Sequence, residues 1–286
     1  MLLRSLVLTL LILTHIPFAA LALMPIQTGT VDVGEAKLAY RIYGQGEPLL
    51  LITGYAVTME SWPEPLLKEL SRDRSVIIFD NRGMALSTAS DTPFSLPLMA
   101  EDAADLLQGL GIGHAAVLGW SMGGCIAQEL ALLHPEMVEK LVLYATDVDS
   151  DEVVKALASI QATPDARPLA HLFPAAWMNA HPDYLSLLPP VTVTPDPDMI
   201  ARQKKAIEQW AGTRDRLQHI NIPVLFIVGE QDTVTRAERS RLGISLVSGP
   251  AWLAVFDNAG HGLMFQAPME MALTVLDFLA VKQQLN

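Results

Sequence analysis

The stretch Ala115-Ala116-Val117-Leu118-Gly119-Trp120-Ser121-Met122-Gly123-Gly124 constrains this chain more than any other. An apolar run suited to one buried strand ends at a serine, and a helix-compatible run from Cys125 to Leu133 follows at once. The backbone must turn sharply between the two. Glycines stand at 119 and 123, where a side chain would collide with neighbouring backbone, so the turn can be tight and the Ser121 hydroxyl exposed. This arrangement, a nucleophile elbow, needs a strand before it and a helix after it, and both are present.

The same rhythm continues along the chain. Thr28 to Val33 and Lys37 to Tyr43, around Gly34-Glu35, read as an opening β-hairpin. Leu49 to Thr53, Ser75 to Phe79, Leu141 to Ala145, Pro223 to Val228 and Trp252 to Phe256 are apolar runs suited to strands buried on both faces. Helices are predicted over Met59 to Leu70, broken early by Pro63 and Pro65, over Leu96 to Leu110, and over Phe265 to Lys282. Alternation of this kind argues for an α/β fold, a doubly wound and mostly parallel sheet whose ligands sit at the carboxyl ends of its strands. No internal repeat is visible.

Residues 148 to 214 depart from the pattern. They hold a helical segment from Glu152 to Gln161, a proline-rich middle, and a second helix from Met199 to Trp210, with nothing that resembles a buried strand. An excursion that leaves from the strand ends is placed to cover a site as a helical cap, dividing the core into 24–147 and 215–286. Phe173, Trp177, Met178, Tyr184 and Trp210 read as packing within the cap more readily than as the lining of a pocket.

With 286 residues, 51% of them hydrophobic, one large domain with an insertion fits better than two small ones. A net charge of −12 without any Lys/Arg cluster argues against nucleic acid as a partner and leaves a small neutral or apolar molecule as the expected ligand. The single cysteine, Cys125, excludes an intrachain disulfide and a cysteine metal cluster; four residues past Ser121, it reads as a small packing residue rather than a catalytic thiol. No spaced set of His and carboxylate ligands appears, so neither a metal nor a cofactor is expected. Residues 1–22, with Arg4, an apolar stretch from Leu6 to Leu13 and Ala20-Leu21-Ala22, read as a secretory signal peptide, which implies a secreted or periplasmic protein. An uncleaved membrane anchor, or a cytoplasmic product that starts at Met24, are the alternatives.

A serine hydroxyl is a poor nucleophile at neutral pH and needs a base within hydrogen-bond reach, itself oriented by a carboxylate. His15 lies in the leader, His114 precedes a strand, His134 ends a helix, His171 and His181 lie in the cap, and His219 precedes a strand start. His261, between Gly260 and Gly262 just after the last strand, is the histidine that follows a late strand, and its flanking glycines let a loop bring the ring inward. For the acid, Asp232 follows the strand Pro223 to Val228 at the same carboxyl edge; Glu230 and Asp147 are rivals. The order Ser121, Asp232, His261 is the one expected for this fold.

With these residues the chain resembles the α/β-hydrolase superfamily, and Gly-Trp-Ser-Met-Gly-Gly is similar to the elbow of its carboxylesterase, haloperoxidase and aclacinomycin-methylesterase-like branches. The resemblance implies an oxyanion hole made by the backbone N–H groups of Met122 and Tyr55, the latter in Thr53-Gly54-Tyr55 where the family usually has His-Gly. It also matches Asp80-Asn81-Arg82-Gly83-Met84-Ala85-Leu86-Ser87 to a family turn, with Ala85 in place of a glycine, and this run and Trp62 read as structural. The implied activity is a serine hydrolase acting on a small carboxylic ester or lactone through an acyl-enzyme. Cofactor-free perhydrolysis, carbon–carbon bond hydrolysis and peptide release use the same residues, and a hydrolase-fold receptor with slow turnover is an alternative of another class. Epoxide hydrolase and haloalkane dehalogenase chemistry is disfavoured, because those relatives need a carboxylate where Ser121 stands.

Overall fold

The computed structural model describes residues 23–161 and 167–282. The leader discussed above lies outside the described residues. Strands β1 (Gln27–Val33) and β2 (Ala36–Tyr43) pair antiparallel around Gly34, whose φ of +60° suits a residue without a Cβ. The sheet continues through β3 (Glu47–Ile52), β4 (Arg74–Phe79), β5 (Ala115–Trp120), β6 (Val138–Tyr144), β7 (Val224–Gly229) and β8 (Ala251–Phe256) in the order β1-β2-β4-β3-β5-β6-β7-β8. Only β2 runs against its neighbours.

Alternation along the strands divides the core between the two faces of the sheet. Leu50 and Ile52 of β3 face α2 (Leu96–Gly109) and α3 (Met122–Leu133), after α1 (Glu64–Leu70) has passed on the other side with Leu49 and Leu51. Beyond β6 the chain leaves the sheet through α4 (Ser150–Gln161), α5 (Ala175–Ala180) and α6 (Pro197–Glu208), and returns to β7. The remaining helices are α7 (Ala237–Ile244), α8 (Leu263–Gln266) and α9 (Pro268–Ala280). The fold is α/β, doubly wound and mostly parallel, with a helical insertion. No helix among the described residues is long and apolar enough to cross a membrane.

Four elements differ from expectation, one of them α5, a short helix within the proline-rich stretch where none was predicted. The closing helix is split at Pro268, which lacks an N–H to continue α8 and starts α9 instead. α7 has no counterpart in the sequence reading, because its charged surface and Gly243 mask its role; the glycine allows close approach to the Phe226 ring. β8 is half exposed rather than buried on both faces. It is the edge strand, paired on one side only, and Trp252 keeps 38% of its surface in solvent while packing edge-on to Phe278 at 5.4 Å.

Candidate active site

β3 and β5 are neighbours whose outgoing connections leave in opposite directions, β3 to β4 on one side and β5 to β6 on the other. This is a topological switch point, where a crevice opens beyond the carboxyl ends of the strands. Ser121 stands there, between β5 and α3, with φ 55° and ψ −119°. The conformation is strained for an L-residue, at a cost on the order of 1–3 kcal/mol, and the surroundings hold it. Ser121 N–H donates to Tyr144 O at 3.0 Å, while Ser121 O accepts from Gly124 N at 2.9 Å and from Thr146 Oγ1 at 2.8 Å. A Cβ on Gly123 would lie 2.6 Å from Thr53 O and closer still to Ile52 O, so only glycine lets the first turn of α3 press against β3.

Asp232 and His261 arrive on the loops after β7 and β8. These loops touch backbone to backbone at Gly229, where a Cβ would meet Ala259 and, at 2.7 Å, Gly260 O. Asp232 Oδ1 accepts from the amides of Val234 (2.8 Å) and Thr235 (2.9 Å), and Oδ2 accepts from Thr235 Oγ1 at 2.9 Å. The same Oδ2 lies 2.9 Å from His261 Nδ1, with both residues buried. That contact assigns the proton to Nδ1 and leaves Nε2 as an acceptor. Tyr144 Oη donates to the His261 carbonyl at 2.7 Å and accepts from Met264 N at 3.2 Å; burial raises its pKa well above the usual phenol range, so the donor stays protonated.

Ser121 and His261 line one cavity, and the Trp120 ring centroid is 5.9 Å from that of His261. Among the described residues no hydrogen bond joins Ser121 Oγ to the imidazole. Such bonds often form only when substrate arrives.

The rival groups are committed elsewhere. Glu230 is paired with Arg241 at 2.9 Å on the surface. Asp147 is gripped by Arg239 at 2.8 and 2.9 Å and accepts from Val148 N at 2.7 Å. Burial pushes the Cys125 thiol up to about 12, and its Sγ rests 3.5 Å from Thr146 Oγ1, as suits a packing residue. His134 pairs with Glu101 at 2.8 Å, His181 stacks on Trp177 at 4.3 Å, and His114 and His219 are exposed.

Tyr55 and Met122 flank Ser121, and among the described residues neither backbone N–H has an acceptor. The Thr53-Gly54-Tyr55 loop is held from two directions. Asn81 Nδ2 donates to Thr53 O (3.3 Å) and Oγ1 (3.1 Å). Gln203 Oε1, from α6, accepts the Ala56 N–H at 3.0 Å. Asp80 pins its own turn by accepting from Met59 N (2.7 Å) and Leu86 N (3.2 Å), and Arg82 is paired with Asp102 in the interior, Nε to Oδ2 at 2.8 Å. Trp62 is buried against Trp120 at 6.3 Å.

Two hollows meet at Ser121. One is a cavity of about 370 Å³, lined by Trp120, Leu169, His171, Leu188, His261 and Phe265 among others. The other is a pocket of about 20 Å³ between Met122, Val153, Leu157 and Ile207, and Ile160 and Tyr55 border both. Of the aromatic residues singled out in the excursion, Phe173 packs within it as expected, 5.0 Å from Trp177 and 5.5 Å from Tyr184, whereas Trp210 joins the core on the other face of the sheet and donates Nε1–H to Glu129 Oε1 of α3 at 2.7 Å. Sequence reasoning did not find Tyr144, Thr235, Gln203 or His171. Of these only Thr235 left a local signal, three residues past a turn aspartate. Glu47, His114 and Glu139 form a group that offers ligand atoms within 4.8 Å of one another; it is exposed at the amino ends of β3, β5 and β6, the edge opposite Ser121.

A serine on a strained elbow, a carboxylate-held imidazole and two free amides at one sheet edge define a hydrolase-type site on a doubly wound sheet. Residues 47–268 match the model of the alpha/beta hydrolase fold family, and the chain belongs to that family. It is similar to "Putative carbamate hydrolase RutD" of Caulobacter sp. (strain K31), 28% identical over 89% of this chain and 98% of that one. Among solved structures it resembles a hydrolase from Pseudomonas aeruginosa PA01 (TM-score 0.77, 27% identity, 89% and 99% of the two chains). It also resembles the enol-lactonase from Burkholderia xenovorans LB400 (TM-score 0.76, 26% identity, 88% and 100%). The chain is a hydrolase of this family.

Proposed function

We propose that this hydrolase cleaves a small carboxylic ester or lactone through an acyl-enzyme formed on Ser121. The observation that carries the reading is the Asp232–His261 hydrogen bond in the wall of the cavity that Ser121 lines. His261 Nε2 takes the Ser121 proton as Oγ bonds to the carbonyl carbon, and the carbonyl electron pair moves onto oxygen between the Tyr55 and Met122 amides. On collapse, the bond to the alcohol oxygen breaks and His261 returns the proton to it. Water then repeats the sequence, releasing the acid and restoring Ser121. Asp232 keeps the imidazole in its tautomer and stabilises the imidazolium.

Ester chemistry is favoured over carbamate or peptide cleavage because the lining is largely apolar. Replacing Ser121→Ala is expected to lower turnover of an activated short-chain ester by roughly 10⁴-fold or more, and to abolish labelling by a fluorophosphonate. Near-normal turnover in that variant would overturn the assignment. Labelling of the wild type with a single turnover would favour a ligand-sensing protein instead. The leader is proposed to direct export, which N-terminal sequencing of the native protein tests.

A further inference from the structure

His261 protonates the departing alcohol, so the alcohol portion must lie on the His261 side of Ser121, in the larger cavity, and the acyl portion must point toward the narrow pocket. A pocket of about 20 Å³ holds about one water-sized group, which suits an acyl group as small as acetyl. The larger cavity is apolar over most of its wall, and no charged side chain is found among its described lining residues. The polar side chains on that wall that the reaction does not use are those of Tyr55, Ser61 and His171, and of these His171 lies on the segment that packs against the His261 loop.

His171 is not a stray surface residue. It sits in a short 3-10 turn, Ala170–Leu172, whose flanking alanine and leucine are buried. Leu172 O accepts the Gly262 N–H at 2.7 Å, one residue beyond His261, and a Cβ on Gly260 would lie 2.7 Å from that same oxygen. The turn is thus clamped to the loop that carries His261, and the two imidazoles face one cavity. Among the described residues His171 has no hydrogen-bond partner. Burial, with a smaller contribution from His261, pushes its pKa down to about 4, so near neutrality it offers one N–H donor and one lone pair and no charge.

A half-buried imidazole without a protein partner, held rigidly in an apolar chamber, forgoes hydrogen bonding until a ligand supplies it. We propose that His171 is a specificity-determining residue that hydrogen-bonds an uncharged oxygen on the alcohol portion of the substrate, making the preferred substrate a short-acyl ester of an oxygen-bearing alcohol. This rests on the serine-hydrolase reading above.

The test compares acetates of ω-hydroxyalkyl alcohols, of about two to six carbons, with n-alkyl acetates of equal heavy-atom count. The readout is the ratio of kcat/KM within each pair, which does not depend on the fraction of folded enzyme. Wild type is expected to favour the hydroxyl-bearing ester by roughly 10-fold at one or more chain lengths. His171→Leu is expected to reduce that ratio to about twofold or less, and His171→Asn, which keeps a donor and an acceptor, to restore part of it. Absence of the preference in wild type, or its survival in His171→Leu, overturns the proposal. Turnover of these esters with Ser121 labelled by fluorophosphonate but no discrimination sinks this inference alone. Failure of both labelling and turnover sinks the serine-hydrolase reading and this inference with it.

Discussion

Ser121 shows how much of a site is decided by what is missing beside it. Its left-handed conformation is tolerable only because Gly119, Gly123 and Gly124 let α3, β3 and Thr146 close around it. Gly123→Ala should therefore force the start of α3 off the Ile52 and Thr53 carbonyls. We expect a loss of about 1–3 kcal/mol in urea unfolding together with slower fluorophosphonate labelling. An unchanged labelling rate would mean that the elbow can shift without moving the hydroxyl. Ser121 and its glycines were legible in the sequence because the constraint is steric and local. Asp232 was legible as a position, yet its preference over Glu230 and Asp147 became physical only when Arg241 and Arg239 were seen to hold those two. Tyr144 was not legible: a strand tyrosine reads as core, and its bond to the His261 carbonyl spans 117 residues.

Among elements, α6 and the loop after β3 form a coupled pair. Gln203 is fully buried, its Oε1 accepts the Ala56 N–H, and its Nε2 has no partner among the described residues. An amide so placed holds the loop that presents the Tyr55 N–H. Gln203→Leu removes the acceptor and, on the proposed mechanism, is expected to lower kcat by about 10-fold while KM changes less, because a displaced oxyanion donor weakens the transition state more than the bound substrate. Lower stability with unaltered kcat would reduce α6 to packing. The sequence reading places α6 within two residues of its bounds but gives no hint of what it touches, since the loops joining it to the sheet carry no periodic pattern. The split of the last helix at Pro268 and the half-exposed edge strand β8 have the same origin: a run's apolar content predicts burial, while its position in the sheet decides it.

For the whole molecule, the buried titratable groups shape stability against pH. An unfolded histidine takes up a proton below about pH 6.5, whereas folded His171 does so only near pH 4. As pH falls through that window the unfolded chain binds more protons, and this contribution lowers stability; below about 4 it levels off. Burial raises Asp80 and Asp102 in the folded state, so they take up protons before the unfolded chain does and act in the opposite direction as pH falls. His171→Gln removes only the first contribution, so its stability relative to wild type should rise as pH is lowered from about 6.5 to 4, read from urea midpoints. A pH-independent difference would mean that His171 titrates alike in both states. The sequence by itself determined the alternation of strands and helices, the elbow, and the chain order of serine, carboxylate and histidine, because periodicity and backbone sterics act between near neighbours. Only the tertiary structure decided which carboxylate meets the imidazole, which amides stay free, and that a second histidine shares the cavity. Those are contacts between segments distant in the chain, and they exist only once the strands that carry them stand side by side in the sheet.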